Sequence, residues 1–225
     1  MFALRQPRSY LRLSQASNGN GRLYLLGNSK QRFCGNFEVA APSSVHFPMF
    51  QLTVPVTATD HVIGSLHAAV TIVEYGDFEC PNCKQAVPAV KLLLRHFDGR
   101  VRFAYRHFPL EEVHPHALHA AEAAECAGGQ GKFWLMHDLL FENQQHLKLP
   151  QLRGYAERLQ LDLARYTGEM DDTVYLQRIR EHMQSGVASG VRATPTFFVN
   201  GRIIDVSFGL QRLHDAVESA LRSAK

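Results

Sequence analysis

The order of the predicted elements favours an α/β fold in which helices separate two mixed halves. A β-branched, apolar run at 69–75 predicts a buried strand. A helix is predicted over about 81–97, because apolar residues recur on one face, and a second strand is predicted over 101–106. Residues 111–190 then carry helical periods. The first half of the chain is therefore a β-α-β unit followed by a helical insertion.

Strand character returns after Pro195. Residues 196–199 and 202–206 flank Asn200-Gly201, a pair that accepts positive φ in a tight hairpin turn. A closing helix is predicted over about 210–221. The helical insertion is expected to contain three well-defined amphipathic stretches, which begin near Ala117, Phe133 and Leu176.

Residues 1–58 differ from the rest, and we predict a largely disordered extension there, with an organelle transit peptide as the alternative. Residues 1–59 contain six Lys and Arg against one acidic residue, whereas the whole chain has a net charge of +3, so the remainder is mildly acidic. An acidic body argues against nucleic-acid binding. No run approaches 18 apolar residues, so no membrane span is predicted. The α/β domain is assigned to 59–110 and 191–225, and the inserted helical cap to 111–190.

Two of the four cysteines form the close pair Cys80-Pro81-Asn82-Cys83, whereas Cys34 and Cys126 stand alone. Such a pair is typical of a redox site or of half a metal site, and a second pair to complete a metal site is missing. His114, His116 and His119 are candidate metal ligands, but no carboxylate or thiolate is placed to complete their set. We predict no metal and no organic cofactor, and we expect Cys126 to be a buried apolar residue.

The pair meets the physical demands on a catalytic dithiol. Cys80 follows a strand and a short turn, and Pro81 occupies the favoured first helical position, so unpaired helix amides can stabilise a Cys80 thiolate. Cys83 lies one turn further in, where it is shielded and can resolve a mixed disulfide. Glu74, at the end of the buried strand, is a candidate proton acceptor whose pKa burial would raise.

Three stretches carry a resemblance to a known family: 73–83 around the dithiol, Arg106-His107-Phe108-Pro109-Leu110, and 190–201, which includes Thr194-Pro195. In this order they resemble the DsbA-like branch of the thioredoxin superfamily, over residues 60–223. The resemblance implies a thioredoxin fold with an inserted helical cap beside the dithiol, where client proteins bind.

For individual residues, the resemblance implies that Cys80 is the nucleophile, Cys83 the resolving thiol and Glu74 the buried acid. It also implies a cis bond before Pro195 and a Thr194 backbone that faces an incoming peptide. We expect further client contacts at Phe78, Pro81 and Asn82. Strong oxidants of the family have His where this chain has Asn82, so we expect a couple less oxidising than about −120 mV.

The sequence therefore predicts a protein dithiol–disulfide oxidoreductase without a cofactor. The expected partners are client proteins with thiols or disulfides and a redox partner, either thioredoxin, glutathione or a membrane oxidase. The expected compartment is the cytoplasm, with the periplasm or an organelle as alternatives. Three other functions stay open: a glutathione-dependent transferase or isomerase of the same fold, a chaperone-like binding module, and a zinc-thiolate site shared between two chains.

Overall fold

A computed structural model describes residues 51–207 and 209–224 of the chain, all within one compact unit. Five strands in this part form one mixed sheet in the order β1-β3-β2-β4-β5. Strands β2 and β3 are parallel, and the other neighbouring pairs are antiparallel. The strands are β1 (His61–Gly64), β2 (Val70–Gly76), β3 (Val101–His107), β4 (Thr196–Val199) and β5 (Arg202–Ile204).

Seven helices are described, and five of them form the insertion between β3 and β4. They are α1 (Pro81–His96), α2 (Ala117–Gly128), α3 (Phe133–Glu142), α4 (Leu149–Arg158), α5 (Leu163–Asp171), α6 (Leu176–Ala188) and α7 (Gln211–Ser223). None of them combines the length and the apolar content needed to cross a membrane. Helix α1 runs through Pro88 without a break, as its continuing period predicts.

The predicted α/β class and the order of elements are confirmed. The hairpin turn also has the expected geometry, since Asn200 and Gly201 have φ of 47° and 81°. Strand β1 was not predicted, because four residues with only two partly buried side chains leave almost no alternating pattern. Helices α4 and α5 were predicted only as part of a helical block.

The side chains of the sheet alternate between two cores, because successive residues of a strand point to opposite faces. The larger core contains Ile72 of β2 and receives α1, α7 and most of the insertion. The smaller core contains Val73 and Tyr75, and it is covered by Met183 of α6 and by the segment that precedes β1. Glu74 projects from the same face as Ile72, so its carboxyl enters the larger core.

The segment before β1 is bound to the domain, and these contacts include residues on the N-terminal side of the predicted boundary at residue 58. Arg106 donates to the carbonyls of Val54 and Pro55 at 2.8 and 3.0 Å. The same guanidinium pairs with both carboxylate oxygens of Asp60, at 2.7 and 3.0 Å. Burial would raise the pKa of Asp60, but the pairing with Arg106 lowers it below its ordinary value. The rest of the predicted extension, with Cys34, lies outside the described residues.

Candidate active site

Cys80 lies at the N-terminus of α1. It is the N-cap residue, in an extended conformation with φ −75° and ψ 121°, and Pro81 opens the helix. Proline suits this position because its fixed φ is helical and its missing N–H would be unpaired there. Pro81 and Asn82 are exposed, and the Cys80 side chain is mostly covered. The sequence prediction of the position of Cys80 is confirmed.

Cys83 is fully buried one helical turn further on, and both cysteines are free thiols. The backbone N–H of Asp77 donates to the Cys83 sulfur at 3.5 Å. A hydrogen bond from the Cys83 thiol, helped by the amides of the first helical turn, lowers the pKa of Cys80 to about 5. Burial raises the pKa of Cys83 well above its ordinary value. The two sulfurs are therefore unlike: one is a thiolate near neutral pH, and the other keeps its proton.

Thr194 and Pro195, which follow the inserted helices in the chain, lie next to the dithiol. The peptide bond between them is cis, as the resemblance implies. The Cys80 thiol donates to the Thr194 carbonyl at 3.3 Å. The register of the sheet explains this approach, since Tyr75 pairs with Thr196 and the loop before β4 therefore reaches the carboxyl end of β2. Residues more than a hundred positions apart thus form one site.

Glu74 is almost completely buried on β2, beneath α1. Burial raises its pKa to about 8, and a charge on Cys80 adds to this effect. No described residue donates a hydrogen bond to its carboxyl group. The carboxyl lines a small cavity of about 70 Å³, together with Trp134 and the ion pair of Lys91 with Asp138. Trp134 is partly buried and packs against Phe103, as expected of a side chain in the core.

Phe78 does not lie where the sequence analysis expected. Its side chain is 1% exposed, so the prediction of a surface position for client contact is wrong. The turn before Cys80 folds inward, and the ring packs among Tyr105, His107, His137 and Phe141, with centroids 5.0 to 5.9 Å away. An aromatic ring in a short turn gives no local pattern that reveals which way it points.

The acidic residues beside the dithiol are held by the segment that follows β3. The Asp77 carboxylate accepts from the Leu110 amide and from His114 Nδ1, both at 2.8 Å. The Glu79 carboxylate accepts from the His116 amide at 2.7 Å. These contacts, made by the His114 side chain and the His116 backbone, fix the conformation of the loop that carries Cys80.

Sequence reasoning missed Gln144, which lies between α3 and α4. Its side-chain amide donates to the carbonyls of Phe78 and Cys80, each at 2.9 Å. The residue is buried and 64 positions from Cys80 along the chain. A polar residue after a helix is ordinarily solvated, so no sequence signal pointed to this contact.

A second polar cluster surrounds Glu125 on α2. Its carboxylate accepts from His61, His107 and Arg178, all at 2.9 Å. Together with His182, this group has the spacing of potential metal ligands. The oxygen that faces His107 already accepts from Arg178, however, so a cation there would meet a fixed positive charge. The arrangement is that of a buried ion-pair network that joins the insertion to the sheet.

Cys126, on the same helix, is fully buried. Burial raises its pKa to about 12, so it remains a neutral thiol. The prediction of a buried, small apolar residue is confirmed.

Comparison with solved structures places the fold. Oxidised BdbD from Bacillus subtilis matches with a TM-score of 0.66 and 23% identity, over 72% of this chain and 93% of that one. A thioredoxin-like oxidoreductase from Silicibacter pomeroyi DSS-3 matches with a TM-score of 0.63 and 26% identity, over 74% and 94%. DsbA2 from Pseudomonas aeruginosa matches with a TM-score of 0.58 and 26% identity, over 74% and 96%. The fold is thus that of DsbA-type thiol–disulfide oxidoreductases.

The sequence model of the Thioredoxin_4 family, described as thioredoxin, matches residues 56–219. The chain belongs to this family, and it is a DsbA-like member of the thioredoxin superfamily.

The curated relatives that match this chain are named as Na(+)/H(+) antiporters. The Na(+)/H(+) antiporter NhaA 1 of Salinispora arenicola (strain CNS-205) is 50% identical over 178 residues, which are 79% of this chain and 27% of the relative. The Na(+)/H(+) antiporter NhaA of Herminiimonas arsenicoxydans is 39% identical over 166 residues, or 74% and 26%. The chain therefore spans about a quarter of the length of these relatives.

Proposed function

We propose that the chain exchanges disulfides with protein thiols through Cys80 and Cys83. The observation that carries this proposal is the contact geometry of Cys80. Its sulfur sits at the N-terminus of α1, where the thiolate accepts a hydrogen bond from the Cys83 thiol and the protonated form donates one to the Thr194 carbonyl. A stabilised thiolate with a resolving thiol beside it is what disulfide exchange requires.

In the oxidising direction, a client thiolate attacks the Cys80 sulfur of the Cys80–Cys83 disulfide. Cys83 leaves and becomes a thiol, and Glu74 supplies its proton. A second client thiolate then attacks the client sulfur of the mixed disulfide and expels Cys80 as a thiolate. The client dithiol loses two electrons and two protons. One of these protons replenishes Glu74. The reducing direction runs these steps in reverse, with Glu74 as the base that deprotonates Cys83.

The low pKa of Cys80 supports its role as the leaving group in the oxidising direction. Pro81 and Asn82 are exposed beside the sulfur and are proposed to contact the client, as is the Thr194 backbone. Phe78 has no such role, because it is buried.

The relatives named Na(+)/H(+) antiporters suggest a class of client. In those relatives the matching segment is part of the same polypeptide that bears the antiporter name, and it makes up about a quarter of its length. We therefore propose that this chain acts on thiols of an antiporter of the same type. Cys83→Ser should trap the mixed disulfide, because the resolving thiol is gone. Co-expression with an antiporter of the same organism, followed by non-reducing electrophoresis and mass spectrometry, should give a conjugate through Cys80. Trapped species that never contain the antiporter would refute this choice of client.

The reaction itself is tested by reduction of insulin disulfides and by oxidative refolding of a reduced client. Cys80→Ser should abolish both activities, whereas the matched control Cys126→Ser should retain them, since the charged groups that act on the buried Cys126 thiol are glutamates and not the dithiol. Unchanged activity of Cys80→Ser would overturn the proposal. Suppression of client aggregation that survives loss of both Cys80 and Cys83, without any exchange activity in the wild type, would favour a chaperone-like module instead.

A further inference from the structure

One side chain of the helical insertion, Gln144, binds two backbone carbonyls of the loop that carries the dithiol. The Gln144 amide nitrogen has two hydrogens, and it donates one to the Phe78 carbonyl and one to the Cys80 carbonyl, at 2.9 Å each. Gln144 is 7% exposed, so little water competes for these bonds. The amide thus bridges the carbonyls of Phe78 and Cys80, the residues on either side of Glu79.

These carbonyls have few other donors. Among the described residues, the Cys80 carbonyl also accepts from the Lys84 amide, at 3.2 Å, as the first bond of α1. No other described donor reaches the Phe78 carbonyl. Without Gln144, one buried carbonyl would lose its partner and the other would keep only the helical bond. An unpaired buried carbonyl is unfavourable, so the loop would rearrange.

The position of this loop matters for the charge on Cys80. The Cys80 carbonyl belongs to the same residue as the thiolate, and its negative end repels a negative sulfur. A donated hydrogen bond places the positive end of an N–H dipole at that oxygen and offsets the repulsion. The bond also holds the extended conformation, φ −75° and ψ 121°, that directs the sulfur toward the free amides of α1. Both effects favour the thiolate over the thiol and over the disulfide.

We propose that Gln144 is a positioning residue of the redox centre, through which the helical insertion stabilises the Cys80 thiolate and sets the equilibrium of the dithiol. This inference rests on the proposed function of Cys80 and Cys83. Gln144 acts only through the two carbonyls, and it contacts neither a sulfur atom nor the client. A residue that merely strengthened the fold would leave the titration of Cys80 unchanged.

The first test is Gln144→Met, a substitution of nearly equal size that removes both donors. The neighbouring Gln145→Met is the matched control, because Gln145 is exposed. Thiolate absorbance against pH should show the acid dissociation constant of Cys80 falling about threefold in Gln144→Met and not in the control. The constant for oxidation by glutathione disulfide should rise about threefold as well, since the reduced form is destabilised.

Gln144→Glu keeps the shape and hydrogen-bonding reach of the side chain, so it serves if the methionine variant folds poorly. A carboxyl group donates one hydrogen at most, and none when it is ionised, so at least one of the two carbonyls loses its partner and the Cys80 constant should again fall. The inference is refuted if both variants titrate and equilibrate like Gln145→Met. That failure is distinct from failure of the proposed function, which is decided by Cys80→Ser alone.

Discussion

Glu74 makes the stability of the fold depend on pH, and its replacement by glutamine should remove that dependence. The carboxyl group is 3% exposed, and no described residue donates to it, so its charged form is unfavourable in the folded chain. Its pKa is raised from 4.5 to about 8, by burial first and by the charge of Cys80 second. The folded state therefore keeps a proton that the unfolded state releases between these two values.

The sign and the size of the change in unfolding free energy with pH follow from this difference in pKa. Stability contributed by a neutral Glu74 is present below pH 4.5 and is lost as the pH rises toward 8. A pKa unit corresponds to about 1.4 kcal/mol, so the full difference corresponds to about 5 kcal/mol. The cavity beside the carboxyl admits some solvation and reduces this value, and we expect a loss of about 3 kcal/mol between pH 4.5 and 8.

Reduced Cys80 would mask this loss. Its pKa is lowered from 9.0 to about 5, so the reduced protein gains stability as the pH rises through that range. The measurement therefore uses a background in which Cys80 and Cys83 are both serine. The buried histidines His107, His137 and His182, whose pKa values burial lowers, add stability with rising pH in both variants, so the difference between the variants is what reports Glu74. Urea unfolding at several pH values should show the background losing about 3 kcal/mol relative to the added Glu74→Gln from pH 4.5 to 8.

Glu142→Gln serves as the control, because Glu142 is exposed at the end of α3. It should leave the pH slope of the background as it was. Glu74→Gln that keeps the pH slope of the background would refute this role of Glu74.

Three further outcomes are expected. In Cys83→Ala the pKa of Cys80 should rise from about 5, since the largest stabilising hydrogen bond is lost, and an unchanged alkylation-rate profile against pH would contradict this. Gly186→Ala should cost about 1–3 kcal/mol in urea unfolding, because its Cβ would lie 2.9 Å from a buried phenylalanine ring, whereas Gly154→Ala, with nothing within 4 Å, should be neutral or stabilising. Asp60→Asn should lower the free energy of unfolding by about 3–5 kcal/mol, because it leaves a buried guanidinium without its carboxylate, and a loss below 1 kcal/mol would show that the segment before β1 is dispensable.

Features of the dithiol that depend on neighbouring residues were predictable from the sequence. Pro81 after Cys80 marks a helix start, and the spacing to Cys83 places the second sulfur one turn inside. The apolar run of β2 predicts that Glu74 is buried. Each of these inferences uses a local rule, in which a few adjacent residues determine a conformation or an environment.

The contact of Cys80 with Thr194 and the contacts of Gln144 could not be predicted from neighbouring residues. The resemblance to a family placed Thr194 near the dithiol, but no property of the residues themselves did so. Gln144 had no signal at all, since a glutamine between two helices is compatible with full exposure. Phe78 was placed at the surface for the same reason, because the direction of one side chain in a turn depends on what packs against it.

The sequence by itself therefore determined the α/β class, the helix start that carries the dithiol and the presence of a buried acid beside it. Only the tertiary structure decided which distant groups complete the site. Sheet pairing brings Thr194 to Cys80, and packing of the insertion brings Gln144 to the two carbonyls. Local conformation is encoded in neighbouring residues, whereas contacts across 64 and 114 positions depend on how whole elements pack.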